Sequence, residues 1–257
     1  MTDNYEPFKA KVLRLTGIDL NAYKENQMKR RIDSLIVRHR LNSYDAYVNL
    51  ISSNNEEFEE FVNYLTINVS EFWRNPEQWD ILEKLVLPDL LKLGGIKIWS
   101  AACSTGDEPY SVVMLLNKYM PFTRIKVNAT DIDKQVLQKA KSGVYSGKSL
   151  KGLPNGFTSK YFRDLGGNSY EVIDEVKRCV SFSQHNLLKD PYPSSCDLII
   201  CRNVLIYFTD EAKEDIYRKF NNSLNRGGFL FLGATEQIIN PTKIGFEPIS
   251  SFFYKKV

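Results

Sequence analysis

From Ile96 onward the chain alternates short apolar runs with amphipathic stretches of helical period, and this alternation constrains the fold more than any other feature. IKIWSA (96–101), IKVNAT (125–130), CVSFSQ (179–184), DLIICR (197–202) and GFLFLG (228–233) read as strands. The runs 107–119, 133–141 and 210–224 read as the helices between them. A strand that is apolar throughout is one covered on both faces. With helices as crossovers, such strands predict βαβ units around a parallel sheet. The end of the chain, 246–256, has the pattern of one or two further strands forming an antiparallel hairpin edge.

Two regions depart from this alternation. The first seventy or so residues read as helical, with Met28, Ile32, Leu35, Ile36 and His39 recurring on one face. Ser43 and Asn54 are expected helix starts, because a short polar side chain accepts from the exposed amides of a first turn. Within 145–180, glycines 147, 152, 156, 166 and 167 and Pro154 break up YFRDL and YEVIDEV. LGGNS between strand-like residues predicts a hairpin turn, so this stretch reads as an antiparallel insert. It is too long for a structureless connection.

Composition removes several classes of function. Hydrophobic residues make up 43% and charged residues 25%, which suits a chain that buries a real core. A net charge of +3 does not by itself describe a nucleic-acid binder. Cys103, Cys179, Cys196 and Cys201 form no CxxC pair, and His39 and His185 lie far apart, so no zinc site and no other metal is expected. The cysteines read as buried small hydrophobes in a reducing compartment. MTDNYEPFKA has no apolar signal core, and the most apolar stretch, DLIICRNVLIYF, is broken by Arg202 and Asn203. A cytoplasmic protein without membrane insertion is expected.

Four segments carry candidate chemistry. WSAACSTGDEPYS (99–111) passes from a strand into a helix, where a doubly wound sheet binds its ligand. Its turn holds only Ala101, Ala102, Cys103, Ser104, Thr105 and Gly106, which allows close approach to the backbone. One glycine is a poor match to GxGxxG and argues against a dinucleotide. Asp131 ends the next strand and is placed to accept from two ribose hydroxyls, with helix capping as the competing role and Asp133 the better cap. Arg202 and Asn203 interrupt an apolar strand at its end, where buried polar groups need partners that a ligand supplies. Tyr207 lies four residues beyond Asn203. Lastly, TINVSEFWRNPEQW (66–79) sets Asn68, Ser70 and Arg74 among large aromatics, and a packed linker explains it equally well. On these grounds alone the chain is an α/β enzyme for an adenosine cofactor.

TINVSEFWRN, IWSAACSTGDEPYS, ATDIDKQVLQKAKSGVY, HNLL, CRNVLIYF and FLGATEQI, in this order and spacing, resemble the chemotaxis receptor methyltransferases, the CheR family. The likeness runs over nearly the whole chain. It implies a Rossmann-like methyltransferase domain dependent on S-adenosylmethionine, with a small antiparallel β insert, behind a small all-α N-terminal domain. The implied boundaries are 1–70, a linker with the first crossover helix at 71–94, and 95–257 with the insert at about 145–180. By motif matching, Asn68, Ser70, Arg74, Glu108, Asp131, Asn186, Leu187, Asn203 and Val204 would line the cofactor pocket, together with Ala101 and Gly106 of the turn. Family members often carry threonine at Ser70 and a second glutamate at Asp107. Arg74 is expected to orient a carboxylate, and Tyr207 to close the pocket near the transferring methyl. The implied reaction converts receptor glutamates to methyl esters and yields S-adenosylhomocysteine.

The partner expected from the resemblance is the helical bundle of a methyl-accepting chemotaxis receptor, bound by a monomer through a basic N-terminal helix and the β insert. Between residues 9 and 40, nine cations (Lys9, Lys11, Arg14, Lys24, Lys29, Arg30, Arg31, Arg38, Arg40) face three carboxylates (Asp19, Glu25, Asp33), a net of +6. A glutamate-rich bundle complements that face, and a merely solvated face is the competing reading. DLGGNSYEV is short for the loop with which some members hold a receptor's C-terminal pentapeptide, which favours direct binding to the receptor shaft. Nucleic acid is not expected. DPYP (190–193) resembles the DPPY site of amino-methylating enzymes but precedes its strand rather than following it. A non-catalytic cofactor-sensing module is the alternative from another class.

Overall fold

In a computed structural model describing residues 4–257, the chain divides into two compact units. One comprises 4–68 with Ile206–Ile216, the other Val69–Leu205 with Tyr217–Val257.

The first unit is built on α1 (Tyr5–Thr16), α2 (Glu25–Arg38), α3 (Tyr44–Ser53) and α4 (Asn55–Thr66). Met28, Ile32, Leu35 and Ile36 are all buried, the apolar stripe that their spacing predicts. Burying each such side chain contributes about 1.5–3 kcal/mol. Phe8 packs on Tyr44 and Tyr47 on Phe61, with ring centroids 5.0 and 5.7 Å apart. Both expected helix starts are caps: Ser43 Oγ accepts from the Ala46 amide at 3.2 Å, and Asn54 Oδ1 from Glu56 at 2.9 Å and Glu57 at 3.3 Å. His39 ends the stripe differently from its apolar neighbours. Its Nε2, just past the end of α2, lies 3.4 Å from a Glu57 oxygen of α4.

The second unit carries a seven-stranded sheet. Its strands are β1 (Ile98–Ala101), β2 (Val127–Asp131), β6 (Val180–Gln184), β7 (Cys196–Cys201), β8 (Leu224–Leu232), β9 (Phe246–Ser250) and β10 (Phe253–Lys256). Their order is β6-β2-β1-β7-β8-β10-β9. The first five are parallel, and β10 runs antiparallel to both β8 and β9, the hairpin edge expected at the C-terminus. Every residue of β1 and β7 is buried. The crossover helices are α7 (Asp107–Leu116), α8 (Lys134–Ser142) and α11 (Asp210–Ser223). Before β1, α5 (Pro76–Ile81) and α6 (Leu87–Leu90) are joined by a π-helical stretch, Leu82–Val86. Pro88 has no amide to continue the i→i−4 ladder there.

The insert is a separate antiparallel sheet, ordered β3-β5-β4, from β3 (Val144–Ser146), β4 (Phe162–Gly166) and β5 (Ser169–Val172). Gly166, Gly167 and Asn168, all at positive φ, turn β4 into β5. The short helices α9 (Phe157–Tyr161) and α10 (Asp174–Lys177) flank it. All four cysteines are free and buried. No helix of the described residues is long and apolar enough to cross a membrane.

Candidate functional site

The strand order reverses between β1 and β7: the chain moves outward through β2 and β6, then returns to the other side of β1. At such a point the loops leaving the two strands part and open a crevice at their carboxyl ends. The crevice is present. It is lined by Ala102, Cys103, Ser104 and Glu108 after β1, by Arg202 and Asn203 after β7, and by Val69, Ser70, Glu71 and Arg74 from the segment before α5.

Backbone strain concentrates around it. Trp73, Asn75, Ala102, Ser104 and Asn203 are left-handed, with φ of 56°, 59°, 61°, 49° and 60°. Trp73, Ala102 and Ser104 adopt that conformation at a cost, of order 1 kcal/mol or more each, while asparagine enters it more readily; strained residues cluster where a site is held in one shape. Gly106 is also left-handed, at φ 88°. A Cβ on it would stand 2.8 Å from that of Ala140 and 3.2 Å from the Tyr145 hydroxyl. Its missing side chain thus makes room for α8 and the insert, a packing reason beside the ligand approach read from the sequence.

A buried charge network forms one wall. Arg202, nearly fully buried, lies with Nη1 3.7 Å from Glu108 Oε2. Its Nη2 donates to the Arg74 carbonyl at 2.7 Å, Gln78 Oε1 at 2.8 Å and Asn75 Oδ1 at 3.2 Å. Glu108 Oε1 accepts from Ser100 Oγ at 2.8 Å. Burial raises the Glu108 carboxyl above its ordinary range, and the Arg202 charge opposes the rise. The sequence pattern predicts a ligand as the partner of Arg202, whereas its Nη atoms are satisfied by protein groups. The available signal was that a cation inside an apolar run requires a buried counter-charge.

Asp131 sits at the end of β2, with Oδ2 accepting from the Ser104 amide at 2.8 Å and Oδ1 from the Asp133 amide at 3.0 Å. It therefore ties the two strand-end loops together. Each oxygen retains a further lone pair for a ligand hydroxyl. Burial pushes its carboxyl up to about 6, against the amides of Asp133, Ser104 and Ile132 that hold it down. Asp133 caps α8 through the Gln135 amide at 2.8 Å. Asp107, buried, accepts from Thr105 Oγ1 at 2.5 Å and is also bonded by the Ser70 hydroxyl. Burial raises its carboxyl too.

Ser70, Arg74, Glu108 and Asn203 of the expected site line the crevice together. Ala101 is the fully buried last residue of β1, and Val204 follows Asn203 in the loop after β7. Asn186 and Leu187 follow His185 at the end of β6, and the His185 amide donates to the Asp131 carbonyl at 2.9 Å. Asn186 Oδ1 accepts from the Leu188 amide at 2.9 Å. Asn68 and Tyr207 fall in the other compact unit. There Tyr207 lines a basic pocket with Lys24, Gln27, Met28, Arg30, Arg31 and Ile67.

Three buried side-chain atoms at the crevice have no hydrogen-bond partner: Ser104 Oγ, Asn203 Oδ1 and Arg202 Nε. Orphaned buried polar atoms are rare, and a row of them along one cleft fits a polar ligand. Carboxylates at Asp131 and Glu108 suit hydroxyl donors, Asn203 Oδ1 suits an N–H donor, and the Arg74 guanidinium suits a carboxylate. That donor and acceptor set fits an amino-acid-bearing nucleoside.

Comparison with known proteins gives the same direction. A family described as "CheR methyltransferase, SAM binding domain" matches residues 68–253, and "CheR methyltransferase, all-alpha domain" matches 3–66. A Listeria innocua protein named "Chemotaxis protein methyltransferase" is 40% identical over 255 residues, covering 98% of this chain and 97% of its own. The protein of that name from Listeria monocytogenes is 41% identical with the same coverage. One from Borreliella burgdorferi is 33% identical over 86% of this chain and 83% of its own.

Proposed function

This chain belongs to the CheR methyltransferase family and is an S-adenosylmethionine-dependent protein-glutamate methyltransferase; we propose that its substrates are glutamate side chains on chemotaxis receptors, which it converts to methyl esters. The observation that supports this most is the polar crevice at the β1/β7 switch point, with Ser104 Oγ and Asn203 Oδ1 buried and unpartnered in its wall. When bound, S-adenosylmethionine supplies a methyl group made electrophilic by its sulfonium. Asp131, Glu108, Ser104 and Asn203 bind and orient; none of them needs to move a proton. A glutamate with an ordinary pKa near ~4.3 is already an anion at pH 7, so the nucleophile requires no general base.

What the protein must supply is alignment and exclusion of water. Holding two reactants in line contributes several kcal/mol, up to roughly 7–11 in ideal cases. The Arg74 fork is the group for bidentate contact with a carboxylate. Tyr207 is the proposed group at the transferring methyl on the strength of its place in the motif CRNVLIYF (201–208). Each ester removes one negative charge from the receptor, which relieves repulsion among acidic helices and so biases their packing.

The test is incubation with methyl-labelled S-adenosylmethionine and receptor-containing membranes, followed by mild base. Base-labile label on the receptor is the expected result. Label that resists base, or that appears on added DNA or RNA instead, overturns the proposal.

A further inference from the structure

Glu236 is almost fully buried, yet no charged partner touches it among the described residues; its partners are backbone amides. It follows β8 in the stretch Gly233-Ala234-Thr235-Glu236 and turns back toward the loop that leaves β7. Oε2 accepts from the Asn203 amide at 2.7 Å and the Gly233 amide at 2.8 Å, and Oε1 from the Leu205 amide at 2.6 Å. The Val204 amide also bonds it. One carboxylate thus collects the amides of three successive residues, 203 to 205, and closes them onto the end of the neighbouring strand.

The surroundings are fitted to that side chain. A Cβ on Gly233 would stand 2.6 Å from Glu236 Oε2 and 2.7 Å from the Asn203 nitrogen, so only glycine leaves space for the carboxylate. Asn203 itself is held at φ 60°. Asparagine enters that conformation more readily than most residues, and the amide bonds to Glu236 on this loop hold it there. The loop brings the Asn203 side chain to the crevice, with its Oδ1 buried and without a hydrogen-bond partner.

We propose that Glu236 is a positioning residue of this site, acting through Asn203: it fixes the backbone of 203–205 so that Asn203 Oδ1 is presented to the N–H donors of the cofactor's amino-acid moiety. This deepens the cofactor reading above and rests on it. The role needs a carboxylate. Both of its oxygens accept, whereas a glutamine turns one of them into an NH₂ group that faces amide donors.

The test is a double-mutant cycle on the full chain, read by calorimetric binding of S-adenosylhomocysteine. Glu236→Gln and Asn203→Ala should each weaken binding, Glu236→Gln by about tenfold or more, as for loss of a charge-assisted hydrogen bond at the site. If Glu236 acts through Asn203, the double variant binds no more than about twofold more weakly than Asn203→Ala alone. Native-like affinity in Glu236→Gln overturns the proposal. So does an undiminished loss when Glu236→Gln is added to Asn203→Ala, because that is the mark of general damage to the fold. Should Glu236→Gln fail to fold, Glu236→Asp, which keeps the charge and shortens its reach, carries the same cycle. Failure of the unsubstituted chain to bind S-adenosylhomocysteine would instead fell the cofactor reading itself.

Discussion

Arg202 Nη2 lies 2.7 Å from the carbonyl oxygen of Arg74, so a side chain at the end of β7 holds the backbone of a residue far earlier in the chain. With Gln78 and Asn75 as further acceptors and Glu108 as counter-charge, one guanidinium fixes the segment that carries Ser70 and Arg74. Arg202→Met should therefore act twice. It strands the buried Glu108 charge and releases that segment. A loss of about 3 kcal/mol is expected, a fall of roughly 6–12 °C in Tm. Methylation should fall further than unfolding accounts for when rates are measured well below the variant's Tm.

Arg74 differs from Arg202 in being only partly buried, with one weak bond of its own, to the Val69 carbonyl at 3.3 Å. Arg74→Ala should leave the fold intact and cut kcat/KM by roughly 10- to 150-fold, the worth of a charged hydrogen bond. Circular dichroism and initial rates separate the two effects, and a folded variant with native rates would remove Arg74 from the reaction. Tyr207→Phe keeps the ring and deletes the hydroxyl; an unchanged rate would reduce Tyr207 to packing.

Asp131 gives a pH signature whose sign is fixed. Its carboxyl is pushed up to about 6 in the folded chain from an ordinary 3.8. Because the folded value is the higher, the folded state binds this proton more tightly than the unfolded chain does. Asp131 therefore lowers the stability of the cofactor-free protein as pH rises from about 4 to 6, by about 3 kcal/mol at the upper end. Cofactor binding runs the other way, since the ionised carboxylate is the better acceptor of two hydroxyls. Affinity for S-adenosylhomocysteine should weaken as pH falls through 6, and Asp131→Asn should flatten both trends. Calorimetry between pH 5 and 8 reads the first, and thermal unfolding without ligand the second.

The doubly wound core was legible because burial on both faces leaves a period-free apolar run, as in CDLIIC, that no surface strand can carry. The caps at Ser43 and Asn54 were legible for a local reason: their bonds reach only two or three residues ahead. Residues whose role depends on distant chain were not. Arg202 is defined by Gln78 and Glu108, and Glu236 by amides more than thirty residues before it, as in its bond to Asn203 at a separation of 33. Gly106 looked like a ligand contact and has a packing role that only the position of Ala140 reveals.

The basic face of α2 is not uniform. Arg31 donates to the Tyr64 carbonyl and stacks on the Tyr64 ring at 4.4 Å, so replacing it disturbs the fold of the helical unit. Arg30 is exposed. Arg30→Glu is thus the cleaner test of steering toward an acidic receptor. It should raise the apparent KM several-fold at low ionic strength and much less near 0.5 M salt, where the Debye length is only about 4 Å. kcat should hold. A KM indifferent to Arg30→Glu at low salt would leave this face merely solvated.

Gly152, at the start of the β insert, abuts the same 69–75 segment that Arg202 holds. A Cβ there would stand 2.6 Å from the Phe72 carbonyl oxygen, a backbone atom that cannot swing aside as a side chain would. Phe72 in turn packs edge-on against Tyr145 and Phe162 of the insert, with centroids 4.8 and 5.3 Å away. The segment bearing Ser70 and Arg74 is therefore braced by the insert as well as by Arg202. Gly152→Ala should cost about 1–3 kcal/mol through overpacking and lower kcat/KM by displacing Arg74. Gly94→Ala is the control, since a Cβ there meets nothing within 4 Å. If Gly152→Ala loses stability and keeps full activity, the insert braces the fold without setting the position of Arg74.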